Sequence, residues 1–450
     1  MPLPSRRFGV RILAGMAAWG IVIGPWPARD DTPPGFDLPS VSRGLTPRNH
    51  GIGPIRVGLA TVDLVPPHPT PLAGHIGGIA APFVAVNSRC EARALTVTGR
   101  GAGVTILSAD LLLIDDRLNR AVLDRAGLPR DQVYFTATHT HGGPGGWGVH
   151  PLERLVAGSY DPAEFNRLVD RLAGAIVRSR AVLVPAELAF VRVDVPGMQW
   201  NRVVPGGRTD EALSAWIFRS TTPLPGRPDA RPTLATLAVF GAHATVAHPD
   251  PPRLGADYPG AFAAELGRIA GGGEVLFAAG TVGDAGPVRP EGPNEQHRAE
   301  AYGRMLAARL APVVTSAEFH TEVDLDNLGL EVDLPPVQVP FRLATLRLSP
   351  LATWWVCRPR TYLHAVRLGP AVLVGFPGDY SGELARTIRA ELPVVATSFS
   401  GDYKGYLVTA ATFRARACYE TRWMSFFGPD LGDHLTRVAG EMIRRLAAPR

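Results

Sequence analysis

The sequence predicts an α/β fold of the mixed α+β kind, in which mixed β-sheets are flanked by helices. Three observations predict it. From residue 55 onward, short apolar or β-branched runs alternate with stretches whose apolar residues recur at helical spacing. Hydrophobic residues make up 46% and charged residues 19% of the 450-residue chain, enough apolar side chain for one large core or two ordinary ones. Several apolar runs also end on glycine with a histidine or an acid just beyond, as when a strand delivers polar side chains into a loop.

In chain order, residues 1–30 read as a signal peptide or N-terminal anchor. Arg6, Arg7 and Arg11 precede the apolar stretch 12–24, which Pro25, Pro27 and Ala28 follow; that stretch is short for a membrane span. Ser5-Arg6-Arg7-Phe8 partly matches a twin-arginine export signal, so the expected destination is periplasmic or secreted. Residues 31–54, rich in Pro and Asp, read as a linker with little structure of its own. Strands are expected at 55–60, 92–98, 103–109 and 132–138, where apolar and β-branched residues fill strand-like lengths. Helices are expected at 161–181, 259–270 and 295–316, where apolar residues recur every three or four positions. Further strands follow at 234–240, 274–279, 361–367 and 370–376, with a closing helix over 430–447. Residues 55–450 are expected to form one catalytic domain, and no repeat stands out.

Composition excludes some functions. The net charge of +5 arises from 46 basic residues of which only Lys404 is a lysine, scattered without the basic, aromatic-interleaved stripe that nucleic acid requires. No nucleic-acid partner is expected. The three cysteines, Cys90, Cys357 and Cys418, lie far apart and show no zinc-knuckle or disulfide-framework spacing.

The most informative stretch is residues 134–146, Tyr-Phe-Thr-Ala-Thr-His-Thr-His-Gly-Gly-Pro-Gly-Gly. His139 and His141, two apart on an extended segment, point to the same side, and the glycines behind them let backbone approach a ligand. This is the form of a metal site at a strand end. The run 235–243 repeats the pattern, ending on Gly241-Ala242-His243 with His248 five residues on, and 373–379 ends on Pro377-Gly378-Asp379. Three protein ligands with a position left open is the usual catalytic zinc arrangement.

With these residues in view, the chain resembles the neutral (non-lysosomal) ceramidases over residues 51–445. The resemblance rests on ordered landmarks: 57–64 with Ala73-Gly74-His75, then 91–95, 108–111, Thr138-His139-Thr140-His141, Asn201-Arg202, 257–260, 283–287 and 401–407. It implies hydrolysis of an N-acyl amide of a lipid or small molecule with one Zn²⁺ ion. The ion's ligands would be His139, His243, Asp379 and Tyr406, while His141 would act as an acid/base or oxyanion partner and Tyr419 would line the pocket. The family's larger enzymes continue into a C-terminal β-sandwich, which is not expected here, and membrane-surface association is a further implication.

Two positions depart from the family pattern. Aspartate replaces the glutamate ligand, so either Asp379 or Glu383 is the acid. Glycine, Gly286, stands where the family carries a serine, which leaves metal-activated water as the expected nucleophile. A catalytically degenerate, ligand-binding envelope protein of the same fold is the alternative. Asp110 is expected to orient an imidazole or cap a helix, and His75 to line the pocket or lie on the surface. Asp257 is expected at a helix start with Pro259 in the first turn, Asp284 in an outer shell or a turn, and Lys404 in an exposed loop.

Overall fold

The computed structural model describes residues 49–448 except 75–81, 150, 224–230, 249–250, 272, 341–344, 389 and 416, together with Gly24, Trp26 and Pro27. Nearly all of the expected signal or anchor, most of the linker, and His75 therefore lie outside the described residues. The end of the expected linker is already ordered as strand: Gly51–Gly53 pairs antiparallel with Val323, Asp324 and Leu325.

Two sheets face each other. The first has eight strands in the order Glu274–Ala279, Thr233–Phe240, Ala212–Ser220, Val184–Asp194, Ile55–Asp63, Glu91–Thr98, Gly103–Ala109, Val133–Ala137. Its internal pairs are antiparallel, but each edge strand runs parallel to its neighbour. The sheet curls until its two ends touch: Ser108 Oγ donates to the Phe277 carbonyl at 2.5 Å. The second sheet has five strands, Gly51–Gly53, Val323–Asp333, Arg360–Leu368, Ala371–Gly375 and Val394–Thr397, with the last two parallel.

The alternation of strand side chains sorts the chain into four layers. On Thr233–Phe240, Ala235, Leu237 and Val239 turn inward to a core shared with Val366, Leu368 and Leu373 of the second sheet. Ala238 and Phe240 turn outward to helices Asp257–Ile269 and Glu295–Thr315. Helices Asp116–Ala126 and Pro162–Ala181 cover the other half of that face, and Leu431–Ala447 covers the back of the second sheet. Truncating a fully buried leucine in such a core costs about 2–5 kcal/mol.

Helix ends follow local rules. Asp161 accepts from the Ala163 and Glu164 amides ahead of Pro162, and Asn294 accepts from the His297 amide. Asp115 caps the helix that ends at Gly127, whose φ of 68° favours glycine. The strands and helices expected from sequence are all present. Strands Val184–Asp194, Ala212–Ser220, Val323–Asp333 and Val394–Thr397, and helix Asp116–Ala126, are additional.

Candidate metal centre

Three strand ends meet at one rim. Val133–Ala137 and Thr233–Phe240 lie near opposite edges of the curled sheet, so their C-terminal loops carry His139 and His243 toward each other. Ala371–Gly375 of the second sheet delivers Asp379 from the opposite layer. A short parallel ladder, Asp379–Tyr380 against Tyr406–Leu407, then sets Asp379 beside Tyr406. Gly74 permits a close approach, since a Cβ there would lie 2.5 Å from His141 Nδ1.

The ligating atoms of His139, His243 and Asp379 all lie within 4.8 Å of one another, and all three side chains are buried. Asp379 Oδ1 stands 3.7 Å from His139 Nε2 and 3.3 Å from His243 Nε2. The opposite ring nitrogens meet backbone carbonyls: Nδ1 of His139 at Leu112 O, 2.9 Å, and Nδ1 of His243 at Ala285 O, 3.2 Å. A carbonyl only accepts, so each Nδ1 carries the proton and each Nε2 presents its lone pair to the common point. His139 holds this geometry at φ 62°, an uncommon value for a side-chain-bearing residue, stacked on Phe399 with 4.0 Å between ring centroids.

Burial sets the charge states. It pushes the His139 imidazole down from 6.5 to about 3, with the neighbouring His243 adding to the effect. His243 is pushed well down by burial and then by Arg202. Both rings are therefore neutral, the form that binds metals. Burial raises the Asp379 carboxyl. Its Oδ2 accepts from Tyr403 Oη at 3.0 Å, but its Oδ1 has no hydrogen-bond partner among the described residues. An orphaned, deeply buried carboxylate oxygen facing two imidazole lone pairs is the arrangement a divalent cation completes.

The other expected site residues ring this cluster. Tyr406 Oη is 3.1 Å from His243 Nε2 and 3.4 Å from Tyr419 Oη. His141 Nε2 is 3.4 Å from His139 Nε2, while its Nδ1 meets Gly74 O at 3.1 Å. All six are thus brought together. Glu383 is not among them, because its carboxylate accepts from Thr409 and Thr412 hydroxyls at 3.1 and 2.9 Å. Asp379 is the acid at the cluster.

Arg202 belongs to the site although only its landmark was read from sequence. Its Nε pairs with Glu420 Oε1 at 2.8 Å and its guanidinium lies 6.0 Å from the Tyr419 ring centre. The signal was a lone Asn-Arg pair, whose partner Glu420 lies far along the chain.

The remaining expectations divide. Asp257 starts its helix, with Pro259 in the first turn. Asp284 accepts from the Gly382 and Glu383 amides at 2.8 and 3.0 Å, an outer tie on the Asp379 loop. Asp110 does neither of the things expected: it accepts from the Glu91 amide and faces Arg93, while Asp115 caps the following helix. Lys404 is a correction. It is buried, with its ammonium 3.1 Å from Asp402 Oδ1 and 3.3 Å from Arg358 O, because those two acceptors offset its desolvation.

Comparison with known proteins gives a consistent picture. Residues 82–205 match the family model described as neutral/alkaline non-lysosomal ceramidase, N-terminal. A neutral ceramidase of Mycobacterium tuberculosis is 26% identical over 219 residues, 43% of this chain and 34% of that protein. A neutral ceramidase of Pseudomonas aeruginosa is 26% identical over 162 residues, 33% of this chain and 23% of that protein. The matched stretches thus span about a third or less of those relatives. The crystal structure of neutral ceramidase from Pseudomonas aeruginosa superimposes with a TM-score of 0.71 at 19% identity, covering 88% of this chain and 74% of that one, so the fold is shared. Over the His-x-His region, then, the chain is similar in sequence to the neutral/alkaline non-lysosomal ceramidases, and over most of its length it shares their fold.

Proposed function

We propose that this protein is a zinc-dependent hydrolase that cleaves the amide bond of an N-acyl lipid, using water rather than a side-chain nucleophile. The observation that carries the reading is the orphaned Asp379 Oδ1 between two imidazole lone pairs, with Tyr406 Oη alongside. Two imidazoles, a carboxylate and a phenol are a donor set suited to zinc. Zinc held there would supply Lewis acidity, polarising the acyl carbonyl and making water a competent nucleophile at neutral pH.

The chain's own residues supply the rest. His141, anchored through Nδ1 on Gly74 O, turns Nε2 to the reacting side, where it takes the proton of the attacking water and returns it to the amide nitrogen as the C–N bond breaks. The Tyr419 hydroxyl and the Arg202 guanidinium face the same side and can donate to the oxyanion that forms when the carbonyl is attacked. Gly286 offers no hydroxyl, so the acyl group is not transferred to that position. Export is proposed on residues 1–30 alone.

The test is metal content and turnover on short-chain N-acyl substrates. The wild type is expected to hold one zinc per chain and to lose amide hydrolysis with chelator. His139→Ala and His243→Ala are expected to lose both metal and activity. Full zinc occupancy in both variants, or turnover that survives chelation, would remove the proposed centre. Zinc retention with no turnover on any N-acyl substrate would favour the degenerate binding protein.

A further inference from the structure

The two oxygens of the Asp379 carboxylate are engaged differently. Oδ1 faces Nε2 of His139 and His243 at 3.7 and 3.3 Å and has no hydrogen-bond partner among the described residues. Oδ2 accepts from the Tyr403 hydroxyl at 3.0 Å. A carboxylate can bind a cation through one oxygen or through both, and here a phenol occupies one of them.

The fold fixes that phenol in place. Main-chain bonds tie its segment to the one that carries Asp379: the Lys404 amide donates to Pro377 O at 2.7 Å and the Asp379 amide to Gly405 O at 3.1 Å. The Tyr403 amide itself donates to Asp402 Oδ1 at 2.7 Å. The ring stacks on Phe399 with 6.2 Å between centroids, and Phe399 stacks in turn on His139 at 4.0 Å. Phe399 keeps its place at φ 58°, an uncommon value for a residue with a side chain. Tyr403 is thus held from several directions besides Asp379, so the carboxylate turns to meet the hydroxyl and not the reverse. Through its hydroxyl it reaches one expected ligand, and through Phe399 it backs another.

We propose that Tyr403 is a positioning residue that restricts Asp379 to a single metal-facing oxygen and so sets the coordination number of the ion. The inference rests on the zinc-hydrolase reading and goes beyond it. His139, His243, Tyr406 and one Asp379 oxygen leave a zinc ion a position for water or substrate, which a catalytic site needs. With both oxygens turned to the ion, the carboxylate would compete for that position. A hydrogen bond from outside the ligand set is the usual means of fixing how a ligand presents itself. Tyr403 is not itself a ligand on this geometry, because its hydroxyl is spent on the oxygen that does not face the imidazoles.

The test loads full-length protein with Co²⁺ in place of zinc, since the visible absorption of Co²⁺ weakens as its coordination number rises. The wild type is expected to bind one Co²⁺ per chain with a band stronger than that of a six-coordinate ion. Tyr403→Phe keeps the ring and its stack on Phe399 but removes the hydroxyl. It is expected to hold the ion with a band weakened about twofold or more, and to lower kcat on a short-chain N-acyl substrate about tenfold while KM moves little. A role confined to packing would change urea stability and leave the band as it was. Equal bands in two fully loaded proteins would overturn the inference and leave the hydrolase reading standing. A wild type that takes up no metal would overturn that reading and this inference with it. Should Tyr403→Phe fail to fold or to load, the wild-type band decides alone: a weak six-coordinate band overturns the inference and a strong one supports it.

Discussion

A Cβ at residue 286 would stand 2.9 Å from Cε2 and Nε1 of Trp200, closer than such atoms approach without displacement. Trp200 is the cross-strand partner of Gly286, and its indole N–H donates to the Pro287 carbonyl at 3.2 Å. The indole therefore takes the space in which a side chain at this position would lie, so the absence of a side chain at 286 and the presence of the ring are two aspects of one local packing. Gly286→Ser is expected to destabilise the protein by about 1–3 kcal/mol through overpacking, and Trp200→Ala in the same chain should restore most of that loss. Urea denaturation of the two single variants and the double closes the cycle; strictly additive effects would mean that the ring does not press on residue 286. Single residues were readable from sequence where the signal was local. His139 and His141 announce themselves through their spacing and the glycines after them, and His243 through the same strand-end form. The choice of Asp379 over Glu383 was not readable, because it is made by the Thr409 and Thr412 hydroxyls, 26 and 29 residues beyond Glu383. The burial of Lys404 was hidden for the same reason, since one of its acceptors is the carbonyl of Arg358, 46 residues away.

Between residue and fold, the loops are held by backbone ties that cross from one strand end to another. Asp284 is the clearest: its two carboxylate oxygens accept the Gly382 and Glu383 amides, and the Gly283 amide donates to Tyr380 O, so the loop after Glu274–Ala279 fixes the segment that carries Asp379. Burial raises the Asp284 carboxyl from 3.8 to about 6, which still leaves it mostly ionised at pH 7.5, where it accepts best. Asp284→Ala is expected to lower stability by about 1–3 kcal/mol and to weaken metal retention by about tenfold while leaving His139 and His243 in place. Denaturation and chelator competition at pH 7.5 measure the two effects, and unchanged metal retention would show that Asp379 is positioned without this tie. Elements with uninterrupted apolar runs, such as Thr233–Phe240 and Ala371–Gly375, were legible because burial on both faces leaves a continuous hydrophobic signature. Val184–Asp194 was not, since Glu187 breaks its run. That glutamate is buried and neutralised by Arg219 and Arg231, a pairing that exists only once the strands are side by side. Helix Asp116–Ala126 carries its own marks in the sequence, the N-cap Asp115 and the left-handed Gly127 just past its end.

At the scale of the molecule, the candidate metal centre sits where two sheets come together at one rim, and anything that loosens their contact loosens the site. That contact is mostly apolar but contains His364, on the strand Arg360–Leu368, whose Nε2 donates to Asn327 Oδ1 at 2.7 Å and whose ring lies 5.3 Å from that of Tyr134. Burial, reinforced by Arg130, depresses its imidazole from 6.5 to about 3. Between these values the unfolded chain takes up a proton that the folded chain refuses. Stability contributed here is therefore whole above pH 6.5 and is lost progressively as the pH falls toward 3, at about 1.4 kcal/mol per pH unit. His364→Gln keeps a donor for Asn327 but cannot take up a proton. Moving from pH 7.5 to 4.5, the wild type is expected to lose about 2–3 kcal/mol more than this variant in urea unfolding. His139 and His243 titrate in both chains, so the difference isolates His364. Equal acid-side losses in the two proteins would mean that the sheet interface admits a charged imidazole, and with it enough water that the neighbouring rim would not stay dry.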